Sequence, residues 1–143
     1  MEGEKKKSSR KGIDLGFSKK DQLKEWEVGD NYKCEKLLGQ GSYGQVCQAI
    51  QLSTGKKVAI KKMDNIFDDE TDCKRILREI VLLRKLRHPC VVELVEICVP
   101  KDPINFNCIY VVLEFAESDL KKILKSSINL EFLHIQTIVY NLL

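Results

Sequence analysis

The 143-residue chain has six cysteines (Cys34, Cys47, Cys73, Cys90, Cys98 and Cys108) but no C-x-x-C pair, and only two histidines, His88 and His134. That scatter does not make a zinc ligand set, which needs paired Cys or His at short spacing. Several of the cysteines lie inside apolar runs, where a thiol behaves as a small hydrophobe. Nothing marks the chain as secreted, so reduced structural thiols are the reading rather than a disulfide framework. No apolar run approaches the length that crosses a bilayer. The N-terminus lacks the apolar core of a secretory signal, and Glu2 stands where myristoylation requires glycine. The absences describe a cytosolic or nuclear chain without a membrane partner, and no internal repeat is visible.

What is present is a composition of 43% hydrophobic and 31% charged residues, that of a soluble globular protein. The length suits one ordinary domain or half of a larger one. The net charge of +3 is concentrated at the start. Residues 1–24 hold eight basic and four acidic side chains, a net of +4, which leaves −1 for the remainder. Residues 1–27 therefore read as a basic, disordered tail, in which 19–27 form a short helix or an extended lead-in. The block from Lys5 to Lys11 is either a solvated terminus or an address for a nuclear importer or a polyanion. The nearly neutral remainder argues against a nucleic-acid domain.

After the turn at Val28, Gly29, Asp30 and Asn31, three strands are expected at residues 32–38, 45–52 and 57–63, joined by Gly-containing turns as an antiparallel meander. Val46, Gln48, Ile50 and Leu52 share one face of the second. The period changes near Thr71. Cys73, Ile76, Leu77, Ile80 and Leu83 form one stripe of an amphipathic helix over 71–86. Asp68, Asp69, Glu70 and Asp72 suit its positive end, Arg84, Lys85, Arg87 and His88 its negative end, and Pro89 prevents continuation. Strands at 91–99 and 107–115 and helices at 118–125 and 130–143 follow. The fold class is α+β: a five-stranded antiparallel sheet with one packed helix, then a helical tail.

Gly39, Gly41 and Gly44 form a G-x-G-x-x-G pattern, which belongs to a dinucleotide fold only if it opens a helix inside a strand-helix-strand unit. Asp64, twenty residues past Gly44, stands near the place of an acidic ribose partner in that reading. Yet Ser53, Thr54 and Gly55 break the chain too soon for a crossover helix. A loop between antiparallel strands fits better, its bare glycines letting backbone amides approach phosphate oxygens; a ligand-free hairpin is the plain alternative. Lys61 and Ala59 project from one strand face, where a small residue beside a long cation suits a flat base and its phosphate tail. Glu79, at the edge of the helix stripe, needs a cation if it faces inward, or pairs with Arg75 or Arg78 along its own helix. Asp119 follows an apolar strand, where Ser118 or Asp119 caps a helix and a ribose contact stays open.

In this order, Gly39 to Val46, Val58-Ala59-Ile60-Lys61, Leu77-Arg78-Glu79-Ile80, the run Ile109 to Phe115 and Ser118-Asp119-Leu120 resemble the small lobe and hinge of a eukaryotic protein kinase. Phe106-Asn107, Glu117 to Leu120, His134-Ile135-Gln136 and Tyr140 to Leu143 are similar to the mitogen-activated protein kinase family, with the cyclin-dependent kinases next. The resemblance implies a serine/threonine kinase that uses ATP with Mg²⁺ and meets protein substrates and an upstream kinase. It divides the chain into a tail (1–27), small lobe and hinge (28–117) and the first helices of an incomplete large lobe (118–143).

By the same resemblance Leu38, Val46 and Ala59 line the adenine pocket, and Gly39, Gln40, Gly41, Ser42, Tyr43 and Gly44 cover the phosphates. Lys61 holds the α- and β-phosphates and is oriented by Glu79, within about 4 Å. Leu113 is the gatekeeper, the Glu114 carbonyl and Ala116 amide meet the base, and Asp119 with Lys122 the ribose. Arg78 matches an arginine that meets a phosphorylated activation loop. No His-Arg-Asp or Asp-Phe-Gly occurs in the 143 residues, so catalytic and metal-binding groups are expected to be missing and the chain alone inactive. The rival from another class is a non-catalytic module that captures a kinase or scaffold.

Overall fold

A computed structural model describes residues 23–41 and 44–143. Five strands, β1 (Tyr32–Gly41), β2 (Gly44–Gln51), β3 (Lys57–Asp64), β4 (Leu94–Cys98) and β5 (Cys108–Glu114), form one sheet in the order β1-β2-β3-β5-β4, every pair antiparallel. Helix α1 (Glu70–Lys85) intervenes between β3 and β4; α2 (Leu120–Lys125) and α3 (Phe132–Leu142) follow β5. The expected α+β architecture is the one observed. The strand opens directly at Gly44, and no parallel pair occurs among the described residues, so the dinucleotide-fold reading is excluded. Asp64, its ribose candidate, instead pairs with Lys62 at 3.0 Å.

The two faces of the sheet have different covers. On the inner face Met63, Ile109 and Val111 pack with Ile66 and with Ile76 of α1, and Ile80, Leu94, Phe106 and Leu113 lean against them. On the outer face Cys47, Ala49, Val58, Ile60, Tyr110 and Val112 are covered by Leu23, Trp26 and Val28, with Tyr32 and Cys98. Trp26 tilts against Tyr110 with ring centroids 5.7 Å apart. The expected start of the lobe at residue 28 therefore falls inside a packed cluster: two apolar side chains before it bury themselves on a sheet face that would otherwise meet water. The part of the expected tail that precedes Leu23 lies outside the described residues.

The fully buried side of β2 is Cys47 and Ala49, while Val46, Gln48 and Ile50 are half-buried on the other side. The helix stripe is likewise narrower than expected. Ile76 is buried and Cys73, Ile80 and Leu83 are half-buried, but Leu77 is 59% exposed, about 100° around the helix from Ile76. Expected β4 began at residue 91, yet pairing starts at Leu94. After Pro89 the backbone spends its donors on a turn, Cys90 N to His88 Nδ1 at 3.1 Å and Val91 N to the His88 carbonyl at 2.9 Å. Helices α2 and α3 start two residues later than their expected positions. Asp119 caps α2 by accepting from the Lys122 amide at 2.7 Å, and at the start of α3 the Glu131 amide donates to His134 Nδ1 at 3.2 Å.

Local chemistry places α1. Asp69 is its N-cap and accepts from the amides of Thr71 (2.8 Å) and Asp72 (3.0 Å). Asn107, just before β5, accepts from the Phe67 amide at 3.0 Å, donates Nδ2 to Asp68 at 3.0 Å, and its carbonyl accepts from the Ile66 amide at 3.3 Å. Phe67 meets Phe106 edge-on at 5.4 Å. These contacts tie the entry of the helix to the entry of a central strand. Helices α2 and α3 are differently situated: neither has a buried residue.

Candidate functional site

Strand register brings the expected residues onto one surface. Val46 on β2, Lys61 on β3 and Val111 on β5 lie in one cross-strand row; Gln48, Ala59 and Leu113 lie in the next row on the same face. Gly39 pairs with Val46, which carries the glycine segment to the edge of that surface. Alternation along a strand puts Ile60 and Val112 on the opposite, outer side. The inner face beside Val46 and Ala59 stays half-open, unlike the closed cluster under α1.

Lys61 Nζ and Glu79 Oε1 are 2.5 Å apart, with side chains 21% and 41% exposed. On the same helix Arg75 pairs with Asp72 at 3.4 Å. Ile76, three residues before Glu79, anchors the helix among Met63 and Val111, so the carboxylate is delivered toward β3. A cation is thereby held at a defined point on an open apolar surface, with one side of its head still accessible.

The glycines separate into two kinds. A Cβ added at Gly39 or Gly41 would meet nothing within 4 Å, so bare backbone faces open space there. Gly44 has φ +133°, and a Cβ there would lie 1.9 Å from the Lys62 carbonyl oxygen. Its missing side chain is required by the neighbouring β3 backbone, a role separate from approach to a phosphate. Ser42 and Tyr43, expected over the phosphates, lie outside the described residues. Gln40 pairs with Gln45, and Leu38 falls at a register shift of β1 and is 44% exposed.

At the far end of the surface, the Glu114 amide donates to the Glu93 carbonyl at 2.9 Å, and Ala116 is exposed in the link to α2. Asp119 and Lys122 stand together, 3.6 Å between the carboxylate and Nζ. The Lys122 amide, then the Lys122 charge, hold the Asp119 carboxyl below its ordinary value. Capping is therefore a role of Asp119 that the contacts account for. Arg78 is exposed on α1. Sequence reasoning missed Asn107 as the clamp on α1, although the Phe106-Asn107 pair had been singled out. It also missed the outer cover supplied by Leu23 and Trp26, for which two apolar residues in a charged stretch were the only signal.

An antiparallel five-stranded sheet, a helix inserted after the third strand and a lysine-glutamate pair across that junction define a protein kinase small lobe. The chain belongs to the protein kinase domain family, whose model matches residues 32–143. Among curated relatives it is similar to "Mitogen-activated protein kinase 15" of Oryza sativa subsp. japonica, 48% identical over 123 residues, 86% of this chain and 25% of that protein. It is also similar to "Mitogen-activated protein kinase 16" of Arabidopsis thaliana, 47% identical over 86% of this chain and 22% of that protein. A third, "Mitogen-activated protein kinase 10" of Oryza sativa subsp. japonica, is 50% identical over 82% of this chain and 20% of that protein. The chain thus spans about a quarter or less of these relatives' length.

Proposed function

We propose that this chain is the ATP-holding part of a serine/threonine protein kinase of the mitogen-activated type, which in its complete form transfers the ATP γ-phosphate to protein hydroxyls. The observation that carries the reading is the Lys61–Glu79 pair beside an open inner sheet face. Val46, Ala59, Leu38 and Leu113 offer apolar area to a flat base. Gly39 and Gly41 leave room for phosphate oxygens at the bare backbone, and Lys61 supplies the cation they require. We assign the base contacts to the Glu114 carbonyl and the Ala116 amide, and the ribose to Asp119 with Lys122. Residues 28–117 form the small lobe and hinge in this assignment, with the packed cover reaching back to Leu23, and 118–143 begin the large lobe.

Mg²⁺ accompanies ATP in the family. Among the described residues no group of three His, Cys, Asp or Glu is arranged to hold a metal ion, and no step is assigned to Mg²⁺. Phosphoryl transfer also requires a base near the substrate hydroxyl, which the family takes from motifs that the 143 residues do not contain. The chain by itself therefore binds nucleotide weakly and transfers nothing, while the complete kinase acts on protein substrates under an upstream kinase. No described helix is long and apolar enough to cross a membrane. The proposed location is the cytosol or nucleus.

Titrating ATP into the wild-type chain and into Lys61→Met, followed by amide chemical shifts, tests the assignment. Perturbations along Val46, Ala59 and Leu113 that vanish in Lys61→Met support it; identical titrations of both proteins reject the phosphate role.

A further inference from the structure

Three of the six thiols, Cys34, Cys47 and Cys98, meet on the outer face of the sheet, away from the Lys61–Glu79 pair. Cys34 lies opposite Ala49 and Leu37 opposite Cys47, so Cys34 and Cys47 are diagonal neighbours on one face of the β1–β2 ladder. Regular diagonal neighbours are about 7–8 Å apart, slightly beyond the span of about 4.4–6.8 Å between the Cα atoms of a disulfide. Here a register shift between Cys34 and Lys36 interrupts the ladder at that diagonal. A bulge of this kind bends and twists its strand. Each thiol is the first influence on the other's ionisation, as befits neighbours on one face.

Their surroundings differ in a way that suits an attacking and a resolving thiol. Cys34 is half-buried and lines a solvent-open concavity of about 490 Å³ bounded by Trp26, Val28 and Tyr32. Cys47 has no exposure and does not line it. Cys98 has its Sγ 3.5 Å from the Val28 carbonyl oxygen.

We infer that Cys34 and Cys47 form an oxidisable dithiol that hydrogen peroxide closes to a disulfide, stapling β1 to β2. The interaction with Cys47 holds the Cys34 thiol below its ordinary value, and the same interaction pushes Cys47 up. Cys34 is accordingly the thiolate that attacks. Its sulfur takes one peroxide oxygen as the O–O bond breaks, giving a sulfenic acid and hydroxide, which leaves as water with the proton first held by Cys34. The Cys47 sulfur then forms the S–S bond and displaces the sulfenic hydroxyl, which departs as a second water with the Cys47 proton. Two thiols and one peroxide become one disulfide and two waters. The bond closes the hairpin that carries Gly39, Gly41 and Gly44, on the side opposite Val46.

The test is peptide mapping of the full, reduced chain after peroxide treatment, quenching, alkylation under denaturing conditions and digestion without reductant. The expected result is an intramolecular Cys34–Cys47 linked peptide, complete loss of alkylation at those two positions and its return with dithiothreitol. In Cys34→Ser, Cys47 should stay fully alkylatable after the same treatment. A Cys34–Cys98 link, a link between two chains, Cys34 carried to sulfinic acid with Cys47 still alkylatable, or oxidation of exposed Cys90 with Cys34 untouched would each overturn the inference. Because mapping is done on the unsubstituted chain, the result does not depend on any variant folding.

Discussion

Lys61 and Glu79 illustrate how little stability the pair proposed to orient the phosphates must contribute. Both retain access to water, and such pairs are worth about 0–1 kcal/mol. Glu79→Gln should therefore move the urea midpoint by less than about 1 kcal/mol while releasing Lys61 from its orientation and weakening nucleotide contact. A loss of several kcal/mol in that denaturation would mean the pair is structural instead. Gly44 is the reverse case. Its φ of +133° and the 1.9 Å approach of a hypothetical Cβ to the Lys62 carbonyl make Gly44→Ala a backbone clash that cannot be relieved by a rotamer. It should cost at least about 1–3 kcal/mol, whereas Gly41→Ala, with open space around it, should cost under about 1 kcal/mol. Parallel denaturant titrations check the contrast. The face shared by Ala59 and Lys61 was legible because strand alternation is local. The constraint on Gly44 was not, because it comes from a strand eighteen residues further on.

The elements show the same division between local and distant causes. Helix α1 was legible from its period and its acidic start, and Asp69 caps it. Backbone donation from Asp72, then from Thr71, holds the Asp69 carboxyl below its ordinary 3.8. A depressed carboxyl contributes stability above its unfolded value and loses it as pH falls through the folded one. Helical ellipticity should thus begin to fall below about pH 3.8, and Asp69→Ala should lower it at neutral pH and blunt the acid transition. An unchanged acid limb in that variant would show that other carboxylates control it. Leu77 misled the sequence reading because a stripe only reports which side chains are aligned, and the sheet accepts a narrower arc. The outer cover was illegible for another reason: Leu23 and Trp26 sit in a charged stretch without periodicity. Trp26 is buried against Tyr110, so Trp26→Ala should destabilise by about 3–5 kcal/mol, read by the denaturation midpoint. A change under about 1 kcal/mol would mean the segment rests on the sheet without stabilising it.

At the scale of the whole molecule, the lobe is packed on both sheet faces while its last helices are not. Phe132 is 80% exposed and Leu142 81%, with Ile135 and Val139 half-covered, along one side of α3. An apolar surface of this kind favours self-association. Sedimentation of the chain should show a concentration-dependent rise in mass that Phe132→Asp with Leu142→Lys suppresses; a monomer at all concentrations would contradict this. The succession of strands and helices along the chain was legible because several local motifs appear at fixed spacing, whereas the place of β5 between β3 and β4 and the packing of α3 depend on distant contacts. The central claim is that Lys61, among the neighbouring Lys56, Lys57 and Lys62, holds the phosphates of ATP. An ATP analogue carrying an acyl phosphate, which acylates a lysine amine lying beside its phosphates, tests this even when affinity is weak. Mass spectrometry of the digested chain should place the label on Lys61, with loss of that label under excess ATP and in Glu79→Gln. Label spread evenly over the four lysines, unaffected by ATP, would contradict the account.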